Sequence, residues 1–229
     1  GLAEGAGIPL DILRRTHMIP VVSPWACSCL AVWGGMSQTG GLYQIRNLDF
    51  ITGAGLQDYP VIVVYLPDKG IAHACTTFAG YIGANSGMNA KGICLSEKGN
   101  SPADGYPYDL NGSHFSSLFR RLLYDARSLE DVEDILRETR WFKSYYFVIG
   151  SAEGRDAIKV KVDAPRYYTW SANSPTDESH PSVTEGAVYV TMEDAEAFSY
   201  LNRHRGEHDT QTLIRLSKTL GTDNGNLLN

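Results

Sequence analysis

The sequence predicts an α+β fold in which antiparallel sheets carry the chain and the helices are segregated from them. Two observations support this. Short strand-like runs bounded by Gly, Pro or Asp follow one another at hairpin distances, and helical periodicity is confined to a middle block and the two ends. Hairpin-like connections outnumber strand–helix–strand units, which disfavours a parallel sheet. At 229 residues the chain buries ample core for one large domain or two small ones.

Residues 8–18 read as a short helix with Pro9 in its first turn, and Pro20 and Pro24 then break the chain into a linker. Strand-like runs follow at 27–36, 42–48, 60–66 and 71–78, divided by turns such as Thr39-Gly40-Gly41 and Pro67-Asp68-Lys69-Gly70. Another strand is expected at 92–96. Phe115, Leu118, Phe119, Leu122 and Leu123 recur at helical spacing and build one apolar face. Ser128-Leu129-Glu130-Asp131 opens a second helix as a capping-box variant, which then buries Val132, Ile135 and Leu136. Strands resume at 145–150, 157–162, 166–170 and 187–191, and a last helix spans about 209–220. The polar, turn-rich stretch 171–185 reads as a mobile loop.

Hydrophobic residues make up 43% and charged residues 20%, an ordinary globular balance. The net charge of −6, with no Lys/Arg stripe, argues against a nucleic-acid partner. No apolar run approaches the ~20 residues of a membrane span, and no signal peptide opens the chain. Both ends read as cut, which leaves the compartment open. Four cysteines at these spacings form neither a disulfide framework nor a paired zinc pattern, so no metal or cofactor is expected. Cys75 and Cys94 sit in apolar runs and read as core. Asn111-Gly112-Ser113 matches a glycosylation sequon, a pattern common by chance.

Chemistry concentrates in Trp25-Ala26-Cys27-Ser28-Cys29, followed about 20 residues later by Arg46-Asn47-Leu48-Asp49. A strand starting at Cys27 puts Cys27, Cys29, Ala31 and Trp33 on one face, so Cys29 is a rival nucleophile. The small Ala26 lets the Cys27 thiol reach the preceding carbonyl, shift the acyl group from nitrogen to sulfur, and hydrolyse. The freed α-amine, of pKa ~8, is a suitable base for a thiol of pKa ~8.5. Arg46, on the neighbouring strand, is expected to favour the thiolate, and Asp49 to orient the new ammonium. On a flat strand these two side chains face opposite ways, so a bend near Leu48 is expected. On spacing alone, a cysteine opening a strand is more often structural, and an Arg and Asp three apart are usually a surface pair.

The histidines give less. His204 and His208 have the spacing of a helical metal pair but no partner motif, and read as solvated surface. A Cys–His site would need His73 or His114 beside the cysteine, and no flanking motif supports either. Trp25, Trp33, Tyr59 and Tyr81 suggest an apolar acyl pocket.

Cys27-Ser28-Cys29 with Arg46-Asn47-Leu48-Asp49-Phe50 resembles the opening motif of N-terminal-nucleophile hydrolases. That group includes penicillin V acylase and bile salt hydrolase, acid ceramidase, and the acyl-coenzyme A:6-aminopenicillanate acyltransferase family (peptidase family C45). The likeness is greatest to the last group, through Gly5-Ala6-Gly7-Ile8-Pro9, Tyr59-Pro60-Val61-Ile62-Val63-Val64-Tyr65, Gly87-Met88-Asn89-Ala90-Lys91-Gly92-Ile93 and Gly154-Arg155-Asp156-Ala157. It implies a four-layer αββα sandwich, incomplete at the C-terminal end. It also implies a pro-segment at 1–26, a catalytic domain at 27–229, and self-cleavage between Ala26 and Cys27. The resemblance makes Cys27 the nucleophile and gives Arg46 and Asp49 the holding of its amine and thiolate. It makes Asn173 a candidate oxyanion donor, with 190–194 an alternative alignment that contains no Asn. A second donor is expected around Ser96, Gly99 and Asn100, whereas Asn89 is expected to shape a turn. The implied reaction is hydrolysis or transfer of an acyl group from a small-molecule amide or thioester through acyl-Cys27. Acyl-CoA is among the acyl donors so implied, and a homo-oligomer is compatible with the family. The alternatives are a Cys–His thiol hydrolase without self-cleavage and a catalytically silent binding domain of the same fold.

Overall fold

The computed structural model describes residues 1–22, 26–50, 52–100, 108–172, 174–177, 185–190 and 201–215. Among these, the strands form two antiparallel sheets. The smaller holds β1 (Ala26–Gly34), β2 (Gly40–Asp49) and β10 (Ala187–Val190) in the order β10-β1-β2. The larger runs in chain order through β3 (Pro60–Tyr65), β4 (His73–Phe78), β5 (Ser86–Asn89), β6 (Ile93–Gly99), β7 (Tyr145–Ser151), β8 (Asp156–Asp163) and β9 (Arg166–Trp170). Helices α3 (Phe115–Asp125) and α4 (Leu129–Glu138) are inserted between β6 and β7.

The two helices form because their apolar residues recur on one side and their first turns are capped. The His114 imidazole accepts from Ser116 N–H at the start of α3, and the Ser128 hydroxyl accepts from Asp131 N–H at the start of α4. Their inner faces close on the larger sheet. Phe115, Phe119, Leu122 and Leu136 pack with Leu95, Phe147, Ile149 and Val160, all at most 2% exposed. Full burial of side chains of this kind is worth about 1.5–3 kcal/mol each.

Alternation along the strands builds the remaining layers. On one side of β1, Cys29 and Ala31 meet Tyr146, Val148, Val188 and Val190, so this face fills the space between the sheets. On its other side Leu30 and Val32 meet Leu201 and Leu213, which lie in short helical stretches at 201–203 and 210–215. The result is helix, sheet, sheet, helix: an α+β sandwich with antiparallel sheets.

Several elements differ from the sequence reading. Leu2–Ala6 forms a short helix, α1, that ends at Gly7 in the left-handed conformation, φ 65°. The next helix, α2 (Leu10–Val22), runs through Pro20 instead of stopping before it. Proline removes a single backbone donor there, and the helix ends two residues later. Strand β5 has no strand-like signature in Ser86-Gly87-Met88-Asn89. It forms because Gly87 allows close approach: a Cβ there would lie 2.7 Å from the Ala74 carbonyl oxygen. The turn after it belongs to Asn89, which is 3% exposed. Its amide donates to the carbonyls of Leu123 and Ala126, and its oxygen accepts from the N–H groups of Lys91 and Ile93. His208 is fully buried, with Nε2 at 3.0 Å from the Leu201 carbonyl, so only His204 fits the solvated reading of that pair. Cys75 is core as expected, while Cys94 is partly buried and donates to Gln44 Oε1 at 3.0 Å.

Candidate active site

The β1–β2 hairpin sets the site. Its register places Cys27 opposite Leu48, Cys29 opposite Arg46 and Ala26 opposite Asp49. Pairing is unbroken from Tyr43 to Asp49, so the bend anticipated near Leu48 involves no shift of register. The Arg46 guanidinium reaches along the strand, and Nη2 donates to Cys27 Sγ at 3.6 Å.

Arg46 is anchored by a residue that the sequence reading did not single out. Nη2 also meets Glu97 Oε2 at 2.8 Å, and Nε donates to the Glu97 carbonyl at 2.6 Å. The Arg46 and Glu97 side chains are 6% and 2% exposed, making this a buried ion pair that joins the two sheets. Lys98 and Lys143 are nearly as buried, at 8% and 5%. The usable signal was Glu97-Lys98 at the end of a strand that otherwise reads as apolar or small.

The electrostatics decide the state of the thiol. Burial pushes the Cys27 thiol up. Arg46 opposes this, Glu97 adds to it, and the backbone N–H groups of Asp49 and Gly99 stabilise the sulfur's negative charge. The net direction is up, which corrects the expectation that Arg46 would leave the thiol with a lowered pKa. Burial outweighs the guanidinium, and Glu97 neutralises part of its effect. The Cys29 thiol is pushed up further by complete burial and faces the apolar layer between the sheets. Burial also raises the carboxyl groups of Glu97 and Asp49 and lowers the ammonium groups of Lys98 and Lys143.

Of the positions around Ser96, Gly99 and Asn100, Gly99 is the one whose backbone favours negative charge on the Cys27 sulfur. The backbone of Asp49 does likewise, and its carboxyl is within electrostatic reach of Arg46. Asn173 and the segment 191–194 lie outside the described residues, as does Trp25. The side chain of Ser96 accepts from Gln44 Nε2 at 2.8 Å and so ties the sheets together. Among the described residues, no histidine is bonded to the Cys27 thiol. His73 Nδ1 is 2.7 Å from the Ile71 carbonyl, and His114 is occupied as the cap of α3.

Two open clefts meet at Arg46. One, of about 700 Å³, lies between β2 and strands β4–β6 and is lined in part by Gln44, Thr76, Met88 and Ser96. The other, of about 480 Å³, adds Leu48, Pro60, Ile62 and Phe78. The apolar lining therefore comes from β2 through β6. Of the aromatics expected to supply it, Tyr59 is 65% exposed, Trp33 packs between the sheets, and Tyr81 stacks on His17 of α2 at 5.2 Å.

No family model matches the chain. It is 29% identical over 203 residues to protein dcd1B of Dictyostelium discoideum, covering 83% of this chain and 39% of that protein. It is 29% identical over 128 residues to the N-acylethanolamine-hydrolyzing acid amidase of Oryctolagus cuniculus, covering 53% and 35%. The chain thus spans less than half the length of these curated relatives. Among solved structures, it superposes on the Caenorhabditis elegans ortholog of N-acylethanolamine-hydrolyzing acid amidase with a TM-score of 0.63 at 15% identity, covering 87% of this chain and 88% of that one. It superposes on a mutant of conjugated bile acid hydrolase from Clostridium perfringens with a TM-score of 0.59 at 12% identity, covering 85% and 78%. The chain has the two-sheet α+β fold of these two solved structures.

Proposed function

We propose that the chain carries the nucleophile of a self-processing cysteine amidohydrolase that cleaves small-molecule amides through an acyl-Cys27 intermediate. The observation that carries this reading is a buried guanidinium on one buried sulfur, Arg46 Nη2 at 3.6 Å from Cys27 Sγ, and the backbone of Asp49 and Gly99 also favours negative charge there. A thiol held neutral by burial needs a base at hand. Cleavage between Ala26 and Cys27 supplies one, because the new α-amine sits on the same residue as the sulfur and titrates near neutrality, at about 8.

In the reaction the amine takes the thiol proton as sulfur attacks the amide carbonyl. The proton then passes to the departing nitrogen, leaving a thioester on Cys27. Water attacks that thioester, the amine again accepting a proton, and the acid leaves. Arg46 and the backbone of Asp49 and Gly99 stabilise negative charge at sulfur in each half-reaction, and Asp49 orients the ammonium. The clefts that meet at Arg46 offer an apolar acyl group a place beside the guanidinium that contacts the sulfur. The amidases named among the relatives and structural neighbours favour hydrolysis of an amide over transfer.

The test is to trap the intermediate. The chain is mixed with an N-acyl amide, quenched in acid, and digested for peptide mass mapping. Acyl mass on the peptide that begins at Cys27, absent from Cys27→Ala, supports the reading. Acyl mass on Cys29 or on no residue, with the amide unconsumed, overturns it.

A further inference from the structure

Away from Cys27, one cleft combines apolar walls with unpaired positive charge. It has a volume of about 680 Å³ and lies between α2, the loop at 81–83 and the first turns of α3. Small-molecule sites span about 300–1,000 Å³, so the cleft is of that size. None of its lining residues is shared with the clefts that meet at Arg46.

The wall on the α2 side follows from helical spacing. Leu10, Leu13, Arg14, His17 and Met18 fall on one face, with Arg14 in the middle of the stripe. His17 fixes how that face sits. Its Nδ1 is 2.9 Å from the Leu13 carbonyl, its Nε2 accepts from Ile82 N–H at 3.3 Å, and its ring stacks on Tyr81. A carbonyl only accepts and a backbone N–H only donates, so the proton is on Nδ1 and both ring nitrogens are taken. Leu10, Met18 and Ile82 line the same cleft yet are 53%, 44% and 58% exposed, so its apolar walls stand open.

The charge is one-sided. Arg14 and Arg120 line the cleft and no Asp or Glu does, in a chain whose net charge is −6. The arginines next to them in sequence are paired, Arg15 with Asp11 at 3.6 Å and Arg121 with Glu138 at 2.9 Å. Among the described residues, Arg14 and Arg120 have no salt bridge. Arg120 lies on the Tyr65 ring at 3.8 Å, a stacking that holds the guanidinium plane and leaves its N–H edge for an acceptor.

We propose that this cleft binds a single-chain amphiphile with an anionic head, a fatty carboxylate, its head on Arg14 and Arg120 and its tail along Leu10, Met18 and Ile82. A carboxylate can meet a guanidinium through two parallel N–H···O bonds, and the tail covers apolar surface that otherwise faces water. A neutral amphiphile leaves both guanidinium groups unmet, and a cationic one is repelled. A small anion leaves the apolar walls open. The acid freed from an amide with an apolar acyl group has this form, but the site does not depend on the chemistry of Cys27. A ligand seated here would tie α2 to α3.

The test is binding by the Cys27→Ala chain, which cannot use that thiol to cleave itself or an amide. Dodecanoate, dodecyl maltoside and dodecyltrimethylammonium are titrated calorimetrically, each below its micelle concentration. Dodecanoate is expected to bind about tenfold tighter than either of the others. Arg14→Gln with Arg120→Gln should bring that ratio to about one. Ile82→Asp, at an exposed position, should weaken dodecanoate binding about fivefold by setting a like charge in the cleft. Arg15→Gln, which removes the same charge from α2 outside the cleft, should leave the affinity unchanged. An absent preference for the anion overturns the proposal. So does a preference that survives the double variant, since the ligand then sits elsewhere, or a loss as large in Arg15→Gln, since net charge alone then accounts for it. If the double variant fails to fold, Ile82→Asp and Arg15→Gln decide.

Discussion

Replacing Glu97 by glutamine tests the electrostatic account of the thiol, because the structure fixes the sign of the effect. The sulfur and the carboxylate both touch Arg46 Nη2, at 3.6 Å and 2.8 Å, which keeps them within roughly 6 Å of one another. At an effective dielectric constant of about 20, two unit charges at that distance repel by about 3 kcal/mol, or about 2 pKa units. Glutamine keeps the shape and one acceptor for Arg46 while removing the charge. Allowing for relaxation, the Cys27 thiol should titrate about 1–2 units lower in Glu97→Gln than in the wild type. Arg46→Met should shift it the opposite way, leaving Glu97 as an uncompensated buried charge at a cost of about 3–5 kcal/mol in stability. The assay is the ultraviolet absorbance of the thiolate as a function of pH, with the Cys27→Ala chain subtracted to remove the other cysteines. A midpoint in Glu97→Gln that stays put or rises would refute the reasoning, since Glu97 would then not be acting on the sulfur through its charge.

Three further outcomes are expected. Burial, with Lys143 adding to it, holds the His114 imidazole down at about 3, below its ordinary 6.5. Its folded-state pKa is depressed, so its stabilising contribution is complete above about pH 6.5 and is lost as pH falls through about 3. At about pH 4.5 the wild type should already have lost ~2–3 kcal/mol through this group. His114→Asn, which keeps a capping side chain, should show a flatter stability between pH 7 and that point in urea unfolding. Equal pH slopes would count against it. Asn89→Ala removes four buried hydrogen bonds that hold the β5–β6 turn to the end of α3, and should cost about 2–4 kcal/mol in urea unfolding; a loss under ~1 kcal/mol would show that water replaces them. Gly87→Ala would press its Cβ on the Ala74 carbonyl and the Leu123 side chain, and should lower stability by about 1–3 kcal/mol, while an unchanged midpoint would mean that β4 and β5 can separate freely.

The sequence disclosed what depends on local pattern. The β1–β2 hairpin was legible from alternation and the glycines at its turn, and with it the closeness of Cys27 and Arg46. The helices α3 and α4 were legible from their apolar stripe and from the Ser128 cap. What depends on long-range packing was not. Glu97 is 51 residues from Arg46 in sequence and meets it only because the second sheet stacks on the first. Lys143 stands just before a strand whose start is set by pairing with Gly99, which no local signal reveals. Strand β5 lacks strand-forming residues and exists through the close approach that Gly87 permits. His208 read as surface because its pair with His204 lacks a metal motif and Gly206 weakens the helix, yet it is buried against the Leu201 carbonyl. The thiol was misjudged for the same reason: the sequence shows the arginine but neither the depth of burial nor the carboxylate that shares it.

The central claim is that Cys27 becomes the first residue of a processed chain. It is tested most directly by intact mass and N-terminal sequencing of the purified protein, with Cys27→Ala beside it. The account predicts a new N-terminus at Cys27, matched by a released fragment ending at Ala26, and neither in Cys27→Ala. A wild-type chain that stays whole across the pH range and leaves Cys27 unlabelled by an acyl electrophile would contradict it.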